Sequence, residues 1–516
     1  MRACQDARKQ QGHSMTYPLT PSRSQTYTQI LKSTIWMGGS SLINVALGIV
    51  RNKAMAVFLG PEGVGLMGLY GSIIDIAQAI AGLGVGGSGV RQVAEAAGSG
   101  DDTRVSRTAA SLRRLSVLLG LLGVLLLAGL AFPISSLTFG DHQHVGAIFL
   151  LALAVFFRLV SSGESALIQG LRGISSLAYI NVLSGLFATI VTIPLIYLFG
   201  SQAIAPALVG TAALSAFSIW WFSRQIRLPV ASLSARQFRA ESTALLRLGV
   251  AFMISTLLTF GTAYLIRIIV LTNGGVEAAG LYQAAWAIGG LYTGFILQAM
   301  GTDFYPRLTA AIGDKDDCNR LVNEQAEISM LLAGPGLLAT LTLAPFIMSL
   351  FYSAQFQGAV ELLRWLCLGM MLRIIVWPVG FIIVAKGAQK IFLCTEVAAT
   401  VVHLGLAWLL VPKLGVSGSG VAFFGLYLWH SVLIYMVVRR LTGFRWSAAN
   451  RRHGLIMLSL SALVFLAVGN LPLWLALSTG SVAVILTSLY SLRRLVRLLP
   501  PEALPAIIRG WVTKWV

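Results

Sequence analysis

Residues 61–73 read PEGVGLMGLYGSI, and residues 273–285 read NGGVEAAGLYQAA. Set 212 residues apart, they pair Gly63 with Gly275, Val64 with Val276, and Gly68-Leu69-Tyr70 with Gly280-Leu281-Tyr282, and the same offset places Gly89 against Gly301. Each copy follows one long apolar run and opens the next, so each reads as an outer turn and the first part of a membrane helix. Six spans separate them. An even number preserves orientation, so the repeat is parallel: two similar bundles of six helices related about an axis along the membrane normal.

Composition supports a membrane chain before any motif is read. The 516 residues are 56% apolar and 11% charged, with a mean hydropathy of +0.78, whereas soluble domains carry about 25% charged residues. At roughly 20 residues per crossing, the apolar runs number fourteen. They lie near 30–58, 64–90, 115–137, 146–169, 174–199, 203–223, 244–271, 276–303, 326–352, 360–383, 390–411, 416–438, 455–471 and 473–492. The expected fold is all-α. It comprises a polar cytoplasmic lead (1–28), a six-helix lobe (29–224), a linker (225–242), a second six-helix lobe (243–440), a basic loop (441–454), two additional helices (455–495) and a cytoplasmic tail (496–516).

The basic residues test that count. With 1–28 inside, the inner connections hold Arg91, Arg104, Arg107, Arg113 and Arg114, then Arg172, then Arg224, Arg227, Arg236, Arg239 and Arg247, and so on to Arg451 and Arg452. The outer ones hold little beyond Arg364 and Lys413. This is the positive-inside bias, and a miscounted span would scramble it. It also absorbs most of the +19 net charge, so anionic membrane lipids rather than nucleic acid are the expected partners of the basic loops.

Enzyme constellations are missing from the sequence. No HExxH or GxSxG appears, the four cysteines are scattered, and His142 and His144 form a lone HxH, so neither a catalytic residue nor a metal or cofactor site is expected. The glycine-rich stretch LGPEGVGLMGLYGS (59–72) lacks the lysine of a phosphate loop. Gly60 and Pro61 read instead as a helix stop. With Gly84 and Gly86 in IAGLGVGGSGV (80–90), they serve either close packing or bending and gating.

Ionisable groups at membrane depth tend to face an interior cavity. Arg51, Arg267 and Arg373 are flanked by apolar residues, and each either lines such a cavity or pairs with Asp75, Glu396 or a backbone carbonyl. Guanidinium suits phosphate oxygens, so a cavity lined by these arginines favours an anionic headgroup. Asp75 and Glu396 would then balance charge or carry a coupling ion, with Asp303 a further candidate at the inner end of span eight. Arg158 and Glu164, near the inner face, read mainly as interfacial or structural groups. Tyr70, Gln78, Tyr282, Gln283, Trp286 and Tyr292 offer rings and amides along spans two and eight that suit a sugar, and are equally ordinary interface anchors.

Three long segments carry a family resemblance. KAMAVFLGPEGVGLMGLYGSIIDIAQAIAGLGVGGSGVRQVAE (53–95), the mid-chain run from Tyr264 to Ala310, and FYSAQFQGAVELLRWLCLGMMLRIIVWPVGFIIVAKGAQKIFLCTE (351–396) resemble the bacterial O-antigen and enterobacterial-common-antigen flippases. These form the polysaccharide branch of the MOP exporter superfamily. The resemblance implies a MATE-like fold of two lobes around a cationic cavity in the bacterial inner membrane. It also implies alternating-access transfer of an undecaprenyl-pyrophosphate-linked oligosaccharide to the periplasmic leaflet, with polysaccharide polymerase or chain-length regulator proteins as partners. On the family's pattern Arg267 is the arginine that meets the pyrophosphate, and Arg51 takes the basic position of the first helix. The alternative is a cation-coupled multidrug or small-molecule antiporter of the same superfamily, which would centre on carboxylates rather than on arginines.

Overall fold

The computed structural model describes residues 23–226, 228–229, 233–299 and 304–498, and all regular structure among them is helical. In chain order the helices are α1 (Arg23–Gly82), α2 (Val85–Gly98), α3 (Asp102–Gly129), α4 (Ala131–Phe139), α5 (Val145–Gly170), α6 (Ile174–Phe199), α7 (Ile204–Ser223) and α8 (Ala235–Ala299). They continue as α9 (Tyr305–Ala311), α10 (Lys315–Thr342), α11 (Ala344–Phe351), α12 (Val360–Ala385), α13 (Gln389–Leu414), α14 (Ser417–Thr442), α15 (Ala448–Asn470) and α16 (Leu473–Leu498).

Among the described residues, ten helical stretches are long and apolar enough to cross a membrane, or eleven if α10 and α11, bent by 86° at their junction, form one crossing. Three of the ten run 44, 50 and 40 residues. A straight 44-residue helix would be about 66 Å long, twice the roughly 30 Å hydrocarbon layer. Each of the three contains a glycine with positive φ: Gly60 within α1, Gly200 between α6 and α7, and Gly275 within α8. Gly60 (φ 64°, ψ −167°) and Gly275 (φ 75°, ψ −175°) share one conformation that a side chain would disfavour. Pro61 follows Gly60 directly, where its fixed φ suits a first helical turn and its missing N–H has no partner to lose.

The repeat is written in the backbone as well as in the side chains. Helices α5 and α12 have 26 residues each and begin 215 residues apart, and so do α6 and α13. Three pairs of left-handed residues share that spacing: Gly60 with Gly275, Arg172 with Gly387, and Gly200 with Gly415. Helices α3 and α10 match in length, 28 residues, and in their aspartate caps, with Asp101 accepting from Thr103 N and Arg104 N and Asp314 from Asp316 N and Asp317 N.

The structural register is therefore 215 at the bends, not the 212 that side-chain similarity suggests, and the two differ by about one helical turn. Glycines recur every two or three residues in this stretch, so GLY matches GLY in one register while the φ requirement matches bend to bend in the other. Gly301, the expected mate of Gly89, lies outside the described residues.

The two bends meet each other. A methyl group on Gly65 would stand 2.3 Å from the Val276 carbonyl oxygen, and one on Gly280 would stand 1.8 Å from the Pro61 carbonyl oxygen. Pro61 and Val276 are the first residues after their bends, Gly65 and Gly280 the fifth, so the contact is reciprocal in the way of a two-fold interface. Lys53 Nζ, donating to Ser349 O at 2.8 Å, ties the first limb of α1 to α11 nearby.

Buried apolar side chains gather in a large core built mainly from α8 and α10–α16, and in smaller ones built from α1–α5, α7 and the start of α8. Between α3, α5 and α7, the buried Glu164 carboxylate accepts from Arg113 Nε at 2.8 Å and from the Ser223 hydroxyl. The last two helices are tied to α10, where Arg494 Nε donates to Glu327 at 3.0 Å and Asn450 Nδ2 to Asn323 O at 2.7 Å.

Candidate functional site

Two chambers and a slot lie among the helices. The larger chamber, about 700 Å³, is lined by α8, α12, α13 and α14 together with Asp75 of α1. The smaller, about 550 Å³, is lined by α1, α2, α5 and α7. The slot between them, about 150 Å³, shares Gln78, Gly86, Gly87 and Ser162 with the smaller chamber and Phe260 with the larger.

The larger chamber holds Arg267, Arg373 and Glu396. Gln283 aims Arg267, its side-chain oxygen accepting from Nε at 3.2 Å and Nη2 at 2.8 Å. Tyr282 lies under the same guanidinium, 5.9 Å from its carbon, and stacks on Trp286. Arg373 packs over the Trp377 ring at 4.1 Å and lies 5.6 Å from the Tyr427 ring, while its Nε is buried with no hydrogen-bond partner. A guanidinium held on ring faces keeps its in-plane donors free for an oxyanion. His403 and His430 add to the polar lining, with Ser255, Thr259, Thr262, Thr395 and Thr400, of which Thr259, Thr262 and Thr395 bond carbonyls of their own helices.

The smaller chamber has a different chemistry. Gln78, Ser161, Ser162, Ser165, Gln169, Thr211 and Ser215 line it, and its one cation, Arg158, donates from Nη1 to Asp75 Oδ1 at 2.6 Å. Arg158 faces this chamber and Asp75 the larger one, so the ion pair stands in the wall between them.

The chambers are the same cavity built twice. At the 215-residue spacing Arg158, Ser161, Ser162, Ser165, Ala166, Gln169, Leu208, Thr211, Ala212, Ser215 and Ile219 correspond to Arg373, Val376, Trp377, Gly380, Phe381, Val384, Phe423, Leu426, Tyr427, His430 and Ile434. Every member of the first set lines the smaller chamber and every member of the second lines the larger. Small hydroxyl residues in one half stand where bulky rings and apolar chains stand in the other.

The sequence-derived candidates distribute as follows. Arg267, Arg373, Asp75, Glu396, Tyr282 and Trp286 line the larger chamber, and Gln78 the smaller one and the slot. Gln283 acts on Arg267 rather than lining a chamber. Tyr70 is bound away from all three spaces, its hydroxyl 2.8 Å from His144 Nδ1 and its ring edge-on to Phe139. Arg51 sits beside Tyr352, with its Nε buried and unpartnered, and lines none of them. Asp303 and the side chain of Tyr292 lie outside the described residues.

Gly84 (φ 67°) caps α2 and abuts Gly249 of α8, where a methyl group would come within 2.0 Å of the carbonyl oxygen; Gly86 faces Ser162. The sequence reading passed over Arg158 as interfacial and did not single out the chamber hydroxyls. The signal that finds them is the repeat in its structural register, which sets Arg158 on Arg373.

A family model described as polysaccharide biosynthesis protein matches residues 54–361. The lipid III flippases of Escherichia coli (strain K12) and Shigella flexneri are each 23% identical over 407 residues, covering 77% of this chain and 95% of theirs. Among solved structures, the inward-facing conformation of a multidrug resistance MATE family transporter of the MOP superfamily has a TM-score of 0.67 at 20% identity, over 80% of this chain and 96% of that one. The lipid II flippase MurJ in its inward closed conformation has a TM-score of 0.65 at 12% identity, over 90% of this chain and all of that one. The fold is thus the all-α, multi-pass fold of the MOP and MATE transporters.

Proposed function

The chain belongs to the polysaccharide biosynthesis protein family, and from that premise we propose that it is a membrane flippase carrying an undecaprenyl-pyrophosphate-linked oligosaccharide from the cytoplasmic to the periplasmic leaflet of a bacterial inner membrane. The observation that carries the reading is the larger chamber. Among the described residues it holds two arginines, Arg267 aimed by Gln283 and Arg373 laid on Trp377, against one lining carboxylate outside the Asp75–Arg158 pair, Glu396, which interacts with Arg373 and leaves the chamber one positive charge in excess. Two fixed positive charges at membrane depth are costly, and a pyrophosphate supplies the counter-charge and bidentate acceptors that offset the cost. Relatives matched over 95% of their length are named lipid III flippases.

Splitting the three over-long stretches at Gly60, Gly200 and Gly275, and taking α10 with α11 as one crossing, makes fourteen crossings. In this arrangement residues 29–224 and 243–440 form two six-helix lobes with 455–495 appended, and both termini lie in the cytoplasm. The lobes rock about the Gly65–Gly280 contact, which supports an outer end closed in this state. Pyrophosphate pairs with Arg267 and Arg373 while the polyprenyl chain stays in lipid. Arg51, beside Tyr352, serves the outer contact between the lobes rather than the headgroup.

Export of negative charge runs down an interior-negative potential, which favours it by about 2.3 kcal/mol per charge per 100 mV. A cation moving inward in exchange would also run down that potential, and Glu396, in the same chamber as Arg373, is placed to carry one. The fold is shared with multidrug transporters, but a lipophilic cation entering the larger chamber would meet Arg267 and Arg373 and be repelled.

The test is leaflet transfer of a fluorescent undecaprenyl-pyrophosphate oligosaccharide in vesicles. Wild type is expected to move it and a folded Arg267→Ala variant to fail. Drug efflux without lipid transfer under an imposed proton or sodium gradient would replace the flippase with an antiporter.

A further inference from the structure

Resting on the flippase reading, we infer that the smaller chamber is a second subsite, which takes the outer sugars of the headgroup while the pyrophosphate and its first sugar stay with Arg267 and Arg373. Two independent features of the chamber carry this.

The first is the state of its hydroxyls. Many span hydroxyls return their proton to the carbonyl four residues back, as Ser72 does to Gly68 O, Thr189 to Gly185 O, Ser218 to Leu214 O and, within the chamber itself, Ser161 to Phe157 O. That local bond is the ordinary way to satisfy a hydroxyl away from water. Ser111 and Ser491 are buried without a partner, but singly rather than around a common space. Among the described residues, Gln78, Ser162, Ser165, Thr211 and Ser215 make no hydrogen bond to any protein group. Five donor–acceptor groups left open around one space match a ligand that is itself dense in hydroxyls.

The second is the contrast with the repeat-related chamber. The backbone at these positions accepts Trp377, Leu426 and His430 in one half, yet carries Ser162, Thr211 and Ser215 in the other. Packing alone does not demand small hydroxyl residues there. The one cation of the smaller chamber is spent on Asp75, so the chamber has no free charge for a phosphate and no ring face for a lipophilic cation. A neutral polyol is the remaining ligand class. The slot shared through Gln78 and Ser162 on one side and Phe260 on the other gives a headgroup one route across both chambers.

The experiment compares two lipids in vesicles, undecaprenyl-pyrophosphate monosaccharide and its oligosaccharide homologue, with wild type, Arg267→Ala and the near-isosteric triple variant Ser162→Ala/Ser165→Ala/Thr211→Val. The triple variant should move the oligosaccharide lipid about tenfold more slowly, the effect of losing a few neutral hydrogen bonds, and the monosaccharide lipid at the wild-type rate; Arg267→Ala should move neither. Equal transfer of both lipids by the triple variant at wild-type rates overturns the subsite. Failure of wild type on both lipids overturns the flippase reading instead.

A second readout does not depend on the triple variant folding. Ser165→Cys, alkylated with a maleimide and followed on its own peptide by mass spectrometry, should be protected by the oligosaccharide lipid and not by the monosaccharide lipid. Equal labelling with either lipid present also overturns the subsite.

Discussion

Arg158 and Asp75, 83 residues apart in sequence, share a 2.6 Å hydrogen bond from Nη1 to Oδ1 in the wall between two repeat-related chambers. The pair makes the chambers electrically unlike. Arg158 is neutralised, whereas its repeat mate Arg373 rests on an aromatic ring and keeps its charge available.

Breaking that pair should cost stability asymmetrically. The side chains are 42% and 34% exposed, so the coupling lies between that of a surface pair, up to about 1 kcal/mol, and the 3–5 kcal/mol lost when one partner of a buried pair is removed. A double-mutant cycle of Asp75→Asn and Arg158→Gln, read by thermal unfolding in detergent, should give a coupling of about 1–2 kcal/mol. Additive single effects would mean the two charges are solvated independently.

The reciprocal glycines predict a steric outcome. Gly280→Val and Gly65→Val each drive a side chain into a carbonyl oxygen of the opposing bend, and backbone has no rotamer to move aside. Each should destabilise by about 1–3 kcal/mol or more and abolish lipid transfer. Gly71→Ala, with nothing within 4 Å of the added methyl, is the matched control and should melt like wild type.

Gln283 should matter through Arg267. Gln283→Leu removes both hydrogen bonds that aim the guanidinium and should slow transfer several-fold, by about 1 kcal/mol, with little change in melting temperature. Gln283→Glu supplies an internal anion that competes with the lipid, and should slow transfer more than Leu does. Glu more active than Leu would show that holding Arg267 in place outweighs the competing charge.

The corner between α4 and α5 should weaken in acid. Burial holds the His144 imidazole below its ordinary value of 6.5, partly opposed by Asp141, and its Nδ1 meets the Tyr70 hydroxyl at 2.8 Å. Unfolded His144 therefore takes up a proton at higher pH than folded His144 does, so stability falls as pH drops through about 6.5. A melting-temperature series from pH 8 to 5 should show this loss, and His144→Gln should flatten it.

Much of the architecture was legible in the residues. Apolar runs and a repeated glycine stretch are local sums that survive without knowledge of packing, and they point to membrane spans and to a repeat. Arg267 and Arg373 were legible as cavity candidates because arginine at membrane depth needs a polar surround. Arg51 looks the same by that criterion, yet it packs beside Tyr352, because depth along a helix says nothing about which way a side chain faces.

The amino-acid order alone established a many-span, all-helical chain of two like halves, with glycines where the backbone turns and a short set of charges that membrane cost makes conspicuous. Only the folded chain decided that the halves are matched 215 residues apart, that Asp75 answers Arg158, and that the hydroxyls of α5 and α7 face one space. A serine in an apolar helix reads alike whether it packs, bonds its own backbone or lines a cavity. Its role is fixed by the rotation of that helix against its neighbours, and that rotation is a property of the whole packed bundle.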